Sequence, residues 1–293
     1  MCKRLIFLLS LILLNNSNVY SQEKLQPIGE EAYQVLLRFY QYDKDIPLDV
    51  RIVEKMDMDN CAREKIVFTG IRNSRVPSYL AIPKMGKPPY PVILLLYGMG
   101  QTKDDWWNKL RKANVGYFVI EELLAQGYAV FTMDYPYHGE RISENEYENI
   151  YKAFIDGRKQ WRVFDTVVTS CIEYRKAIDY LSTCAEIDSS RIGILGYSLG
   201  GVMSCCLSAV EPRIRVTVDC VGYSPDSIDY APRIQQPILF MMAKKDTWYD
   251  ERKCERLLEN VGSQKKNLIW YDTGHSIPQE YSKEASKWFK EHL

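Results

Sequence analysis

Residues 191–201 read RIGILGYSLGG. The apolar run 191–195 has the look of a strand, and the small apolar stretch 202–210 suits a helix packed on a sheet. Between them, Gly196 and Gly200 bracket Tyr197-Ser198-Leu199. The pattern predicts strand, sharp turn, helix, with the Ser198 hydroxyl lifted to the helix N-terminus above the carboxyl ends of the strands. Such a turn needs small residues at both flanking positions. A bare G-x-S-x-G also describes a structural Gly-Ser-Gly turn, so it is the strand before and the helix after that point to a nucleophile.

Outward from this stretch, short aliphatic or β-branched runs recur at 65–69, 78–82, 92–97, 128–133, 215–218, 238–242 and 268–271. Most are continuous rather than alternating, as in strands covered on both faces. Helical patterns separate them. In 158–182, Trp161, Phe164, Val168, Cys171, Ile172, Ile178 and Leu181 make one apolar stripe, and Tyr281, Ala285, Trp288 and Phe289 make another after Pro278. Alternating strands and helices predict an α/β fold, a mostly parallel eight-stranded sheet with helices on both faces. The first two strands are joined by a short connection at 70–77 and should form an antiparallel edge. The stretch 135–157, rich in Tyr, Glu and Asn, fits no alternation and reads as a loop or small lid.

The chain has 293 residues. Lys3 and Arg4 precede an apolar run at 5–14 that is too short to span a bilayer, and polar residues follow it. Residues 1–21 therefore read as a signal peptide cut after Ser21, with an N-terminal anchor helix as the alternative. The product would be exported, periplasmic or secreted, with no stable membrane insertion after cleavage. Loss of Lys3 and Arg4 turns the balance of 38 basic and 38 acidic residues into an excess of two acidic ones. No basic surface is left to recruit nucleic acid. Residues 22–60 form an N-terminal extension that packs on the core or mediates a dimer, and 61–293 form the catalytic domain. Eight cysteines, Cys2 among them, include no C-x-x-C pair, and the seven after it do not form a disulfide framework.

A nucleophilic serine needs a base, and the histidines are His138, His275 and His292. His275 follows the last strand-like run and precedes the final helix, so it is the expected base. His138 is an alternative on the loop after the fourth run, and His292 is expected to be solvated. Of the acids that could orient His275, Asp246 follows the run 238–242. Asp219 follows 215–218 and is the runner-up, with Asp250 third. Two amides should converge on the developing oxyanion: that of Leu199 at the helix start, and that of Met99 in Tyr97-Gly98-Met99-Gly100. Tyr97, Trp106, Trp107, Tyr135, His138 and Tyr197 are candidates for a substrate pocket. Tyr137, Tyr147 and Tyr151 add to the aromatic rim, although core and lid packing is the preferred reading of such residues.

These motifs resemble those of the α/β-hydrolase superfamily from about residue 63 to the C-terminus. Gly-Tyr-Ser-Leu-Gly-Gly is similar to the elbow of the esterase, lipase and dienelactone-hydrolase group. Tyr97-Gly98-Met99-Gly100 resembles the family's His-Gly-x-Gly oxyanion loop with Tyr in place of His, which implies Met99 as a donor. The segment from Asp134 to Gly139 resembles a loop that is usually structural in the family. Lys245-Asp246 and Gly274-His275 match the acid and histidine positions, in the nucleophile–acid–base order of that fold. The stretch 220–236 is too short for the usual large lid.

The resemblance implies a serine hydrolase that cleaves carboxylic esters through an acyl-enzyme. The partner would be a small-molecule or glycan ester substrate, such as a carbohydrate or aryl ester. No cofactor and no metal are expected, and no H-E-x-x-H or similar ligand spacing occurs. The alternatives are a prolyl-oligopeptidase-like peptidase and a non-catalytic binding module; an Asp nucleophile, as in dehalogenases, is not in the elbow. The sequence assigns no oligomeric state.

Overall fold

The computed structural model describes residues 26–109, 116–145, 150–155 and 160–293. The expected signal peptide and Tyr147 lie outside the described residues. Strands form around each apolar run, several of them reaching into flanking polar residues: β2 (Cys61–Thr69), β3 (Arg75–Pro83), β4 (Tyr90–Leu96), β5 (Ala129–Met133), β6 (Ile187–Tyr197), β7 (Ile214–Cys220), β8 (Ile238–Ala243) and β9 (Lys266–Tyr271). In β5 and β8 every residue is buried. Such strands fit only where helices cover both faces.

One strand more than expected belongs to the sheet. β1 (Arg51–Asp57) lies in the N-terminal extension, and all seven of its residues are exposed. With no face to bury, its sequence carries no alternation to betray it. It is held by antiparallel pairing with β2, interrupted by a register shift between Ile52 and Glu54. Such an irregularity blunts an exposed edge.

Among the described residues the sheet has nine strands in the order β1-β2-β3-β5-β4-β6-β7-β8-β9. The pairings from β1 to β3, and β3 with β5, are antiparallel; the remainder are parallel. Helices α1 (Glu30–Arg38), α2 (Gly116–Ala125), α3 (Ile150–Ile155), α4 (Gln160–Leu181), α5 (Leu199–Val210), α6 (Ser227–Tyr230), α7 (Glu251–Asn260) and α8 (Tyr281–His292) complete the fold. The stripe expected on α4 is buried from Cys171 onward, but Trp161 and Phe164 at its start are 59% and 58% exposed. Tyr281, Ala285 and Phe289 of α8 are buried as the periodicity predicts.

The extension is docked on α5 and α6. Tyr33 donates to the Ala209 carbonyl at 3.0 Å, and the Tyr40 and Tyr230 hydroxyls lie 2.6 Å apart. Among the described residues no helix is long and apolar enough to cross a membrane. Because β4, β6, β8 and β9 run parallel, the segments that leave their carboxyl ends gather at one edge of the sheet. There β4 neighbours both β5 and β6, the kind of switch point at which open α/β sheets place their sites.

Candidate active site

β6 ends at Tyr197 and α5 begins at Leu199, leaving one residue for the reversal. Ser198 makes it at φ 56°, ψ −115°, a strained conformation for a side chain with a Cβ. The glycines explain how the turn closes. A Cβ on Gly196 would stand 2.0 Å from the Gly200 carbonyl oxygen, and one on Gly200 would stand 2.1 Å from that of Leu96. The Ser198 amide donates to the Cys220 carbonyl at 2.8 Å, so the strained residue is anchored to β7.

His275 lies between β9 and α8, and Asp246 lies three residues beyond β8. The structure brings both to Ser198. His275 Nδ1 is 2.6 Å from Asp246 Oδ2, and Nε2 is 2.8 Å from Ser198 Oγ. With the Nδ1 proton donated to the carboxylate, Nε2 is left to accept the serine hydroxyl. The other carboxylate oxygen of Asp246 accepts from the Trp248 amide at 3.0 Å, which fixes the group's orientation. The Asp246 side chain is fully buried, whereas that of His275 is about one-third exposed, open to a substrate.

The alternative acids are engaged elsewhere. Asp219 lies within β7 under the elbow, accepting from the Gly222 amide at 2.9 Å and the Cys205 thiol at 3.2 Å. Complete burial pushes its carboxyl up to about 7, against the two donors. Asp250 caps α7 by accepting from the Lys253 amide. His292 stacks edge-on against Trp288 in the last turn of α8.

After β4, residues 98–101 make a tight turn with Gly100 at φ +76°, the left-handed position of a type II turn. The Gln101 amide donates to the Gly98 carbonyl at 3.1 Å, and the Gln101 side-chain oxygen accepts from the Gly98 amide at 2.8 Å. The Met99 amide makes no hydrogen bond among the described residues. The Leu199 amide, at the first helical position, has no intrahelical acceptor. A Cβ on Gly98 would lie 3.3 Å from that of Ser198, so this turn faces the serine directly.

Lys103 holds the turn from behind. Its ammonium is buried and sits 2.9 Å from Asp134, 2.5 Å from Glu140 and 3.3 Å from Asp104. Burial alone would lower its pKa, but these carboxylates outweigh it and hold the ammonium above the ordinary lysine value. The Lys103 backbone amide also donates to Asp134, at 2.9 Å.

Several residues expected at a pocket belong to the interior instead. Tyr97 stacks on Tyr135 with centroids 3.9 Å apart, and its hydroxyl accepts from the Tyr135 amide at 2.8 Å. His138 packs against both rings, its Nδ1 on the Pro136 carbonyl, and burial pushes its pKa down to about 4. Neutral and enclosed, it is not placed to act as the base. Trp106 is buried against Gly116, while Trp107 stands edge-on to Tyr79 with Arg63 over its ring. Tyr137 donates to Asp165 at 2.8 Å, away from the relay. Tyr151, on α3, is exposed, and its Cβ lies 3.5 Å from where a Cβ on Gly100 would stand. The stretch expected to be a loop or lid thus carries a 3-10 turn at Gly139–Asn145 and α3, the latter beside the turn at 98–101.

Sequence reasoning passed over Gln101 and Lys103 altogether. Gln101 lies at the closing position of a glycine-bracketed turn, and Lys103 is a lone cation just behind it; those spacings were the available signals.

The dienelactone hydrolase family model matches residues 76–291. Among curated proteins, a putative hydrolase of Bacillus subtilis is 25% identical over 59% of this chain and 57% of its own length. The 2,6-dihydropseudooxynicotine hydrolase of Paenarthrobacter nicotinovorans is 27% identical over 67% and 42%. The chain thus spans about half the length of these curated relatives. A cold-adapted esterase from an Arctic intertidal metagenomic library superposes with TM-score 0.68 at 18% identity, over 82% of this chain and 98% of its own. Acetyl xylan esterase 1 of a Thermoanaerobacterium species does so with TM-score 0.67 at 16% identity, over 91% and 95%. The architecture is the α/β-hydrolase fold.

Proposed function

The chain belongs to the dienelactone hydrolase family, and from that premise we propose that it is a serine hydrolase that cleaves carboxylic esters through an acyl-enzyme on Ser198. The observation that carries this reading is the continuous relay from Asp246 through His275 to Ser198, at 2.6 and 2.8 Å. Those distances lie within hydrogen-bond reach for proton transfer.

Ser198 Oγ attacks the ester carbonyl carbon while its proton passes to His275 Nε2. The carbonyl electrons move onto oxygen, and that oxyanion accepts from the Met99 and Leu199 amides. His275 then gives the proton to the departing alcohol as the C–O bond breaks. Water attacks the acyl-enzyme, again losing a proton to His275, and the acid leaves as Ser198 recovers its proton. Asp246 holds the imidazole in the tautomer that accepts at Nε2 and stabilises the imidazolium that forms.

Two esterases superpose on the fold, and acetylated carbohydrates are the first natural substrate class to assay. Aryl esters follow. We also read residues 1–21 as an export signal, tested by sequencing the N-terminus of protein recovered outside the cytoplasm, where Gln22 is expected first.

Hydrolysis of p-nitrophenyl esters from acetyl to octanoyl, by wild type and Ser198→Ala, tests the reading. The variant is expected to lose on the order of 10⁴-fold or more in kcat. Equal turnover by the two proteins, or an inert wild type, would overturn it.

A further inference from the structure

We infer that Tyr197 is a positioning residue whose phenol ties the His275 loop to the strand end that presents Ser198; the inference rests on the serine-hydrolase reading above. Its hydroxyl donates to the backbone carbonyl of His275 at 3.0 Å and accepts from the Ile277 amide at 3.2 Å. One oxygen therefore grips the backbone on both sides of Ser276.

The ring is 8% exposed, edge-on to the His275 imidazole at 6.4 Å and to Tyr281 of α8 at 6.0 Å. Tyr197 is covalently joined to Ser198 and is the last residue of β6, which is hydrogen-bonded to strands on both sides. The loop's other supports tie it to the end of β8 and not to the strand that presents Ser198. The Lys245 amide bonds the Thr273 carbonyl at 2.9 Å, and the Lys245–Asp272 ion pair is largely exposed, where it contributes little. The 2.8 Å contact from Nε2 to Oγ thus depends on registering two chain segments 77 residues apart, and the phenol is a direct strut between them.

The same contacts explain why this side chain is no part of a substrate pocket. Its polar atom is used twice by the loop, and its ring is enclosed by His275 and Tyr281. Phenylalanine would keep the packing and remove the strut, leaving the His275 carbonyl and the Ile277 amide without that partner.

Tyr197→Phe is tested beside wild type with a p-nitrophenyl ester, reading kcat and KM separately, together with thermal melting. A second readout is the low-field proton resonance of His275 Nδ1, assigned by its loss in His275→Ala. Misregistration of the base is expected to lower kcat about 10- to 100-fold, with KM changed by less than about twofold. The Nδ1 proton should broaden while the fold is retained. A variant with wild-type kcat and an unaltered Nδ1 resonance overturns the inference and leaves the serine-hydrolase reading intact. So does a loss of activity that tracks only a loss of folded protein. An inert wild type overturns both.

Discussion

Replacing Lys103 by Met removes the ammonium that pairs with the Asp134 carboxylate behind the turn at 98–101. Both side chains are 0% exposed and 2.9 Å apart. At an effective dielectric constant near 20 the attraction of two unit charges at that separation is about 6 kcal/mol, offset by the desolvation of both ions. Methionine approximates the length of the lysine stem, so little cavity forms and the main effect is an uncompensated carboxylate. Asp134 would keep the backbone amides of residues 103 and 140 as donors. Glu140 and Asp104, the other partners of the ammonium, are about half exposed and can turn to water.

The expected cost is about 3–5 kcal/mol, the usual penalty for stranding half of a buried pair. In urea, with m of about 3 kcal/mol/M, the midpoint would fall by about 1–1.7 M. The deficit should shrink on acidification, because a protonated Asp134 needs no counter-ion. Since the residue-103 amide still holds Asp134, kcat per folded molecule should change by less than about tenfold. A stability loss below about 1 kcal/mol at pH 8, or one that grows on acidification, would refute this reasoning.

Gly200→Ala would place a methyl 2.1 Å from the Leu96 oxygen and 2.8 Å from that of Tyr97, pushing the elbow away from the oxyanion turn. A loss of about 1–3 kcal/mol in stability and about 100-fold in kcat is expected, and wild-type values in both assays would contradict the close approach. Asp219 supplies a pH test. Its folded carboxyl titrates near 7 against 3.8 unfolded, so between those values the folded state holds the extra proton and stability falls as pH rises. That interval corresponds to at most about 4 kcal/mol, and Asp219→Asn should remove the dependence. The variant should therefore gain on wild type in urea melts between pH 5 and 8, whereas parallel curves would show Asp219 to be ionised throughout.

What the sequence disclosed and what it withheld follow from the same physics. The elbow was legible because close backbone approach admits only glycine at 196 and 200, and because the apolar runs on either side are long enough to declare themselves. The order Ser198, Asp246, His275 placed three side chains on one sheet edge before any coordinate. Asp219 and Asp246 both follow apolar runs, with Asp246 the expected acid and Asp219 the runner-up, and position along the strand is what decides between them. Asp219 is still inside its strand and turns under α5, whereas Asp246 is past the end of β8 and free to reach His275. β1 went unseen because every side chain on it faces solvent. The aromatic residues stayed ambiguous for a related reason: Tyr97 and Tyr135 sit at strand ends near the site, and nothing in their spacing distinguishes a pocket lining from the inward stacking they adopt.

The central claim is that Ser198 carries the acyl group. Rapid quenching during turnover of p-nitrophenyl acetate, followed by tryptic digestion, yields the peptide from Ile192 to Arg213, which holds Ser198, Ser204 and Ser208. The account predicts one acetyl group on Ser198, formed as fast as p-nitrophenol is released and absent in Ser198→Ala. Full-rate turnover with no acetyl on this peptide, or with acetyl on Ser204 or Ser208 in its place, would contradict it.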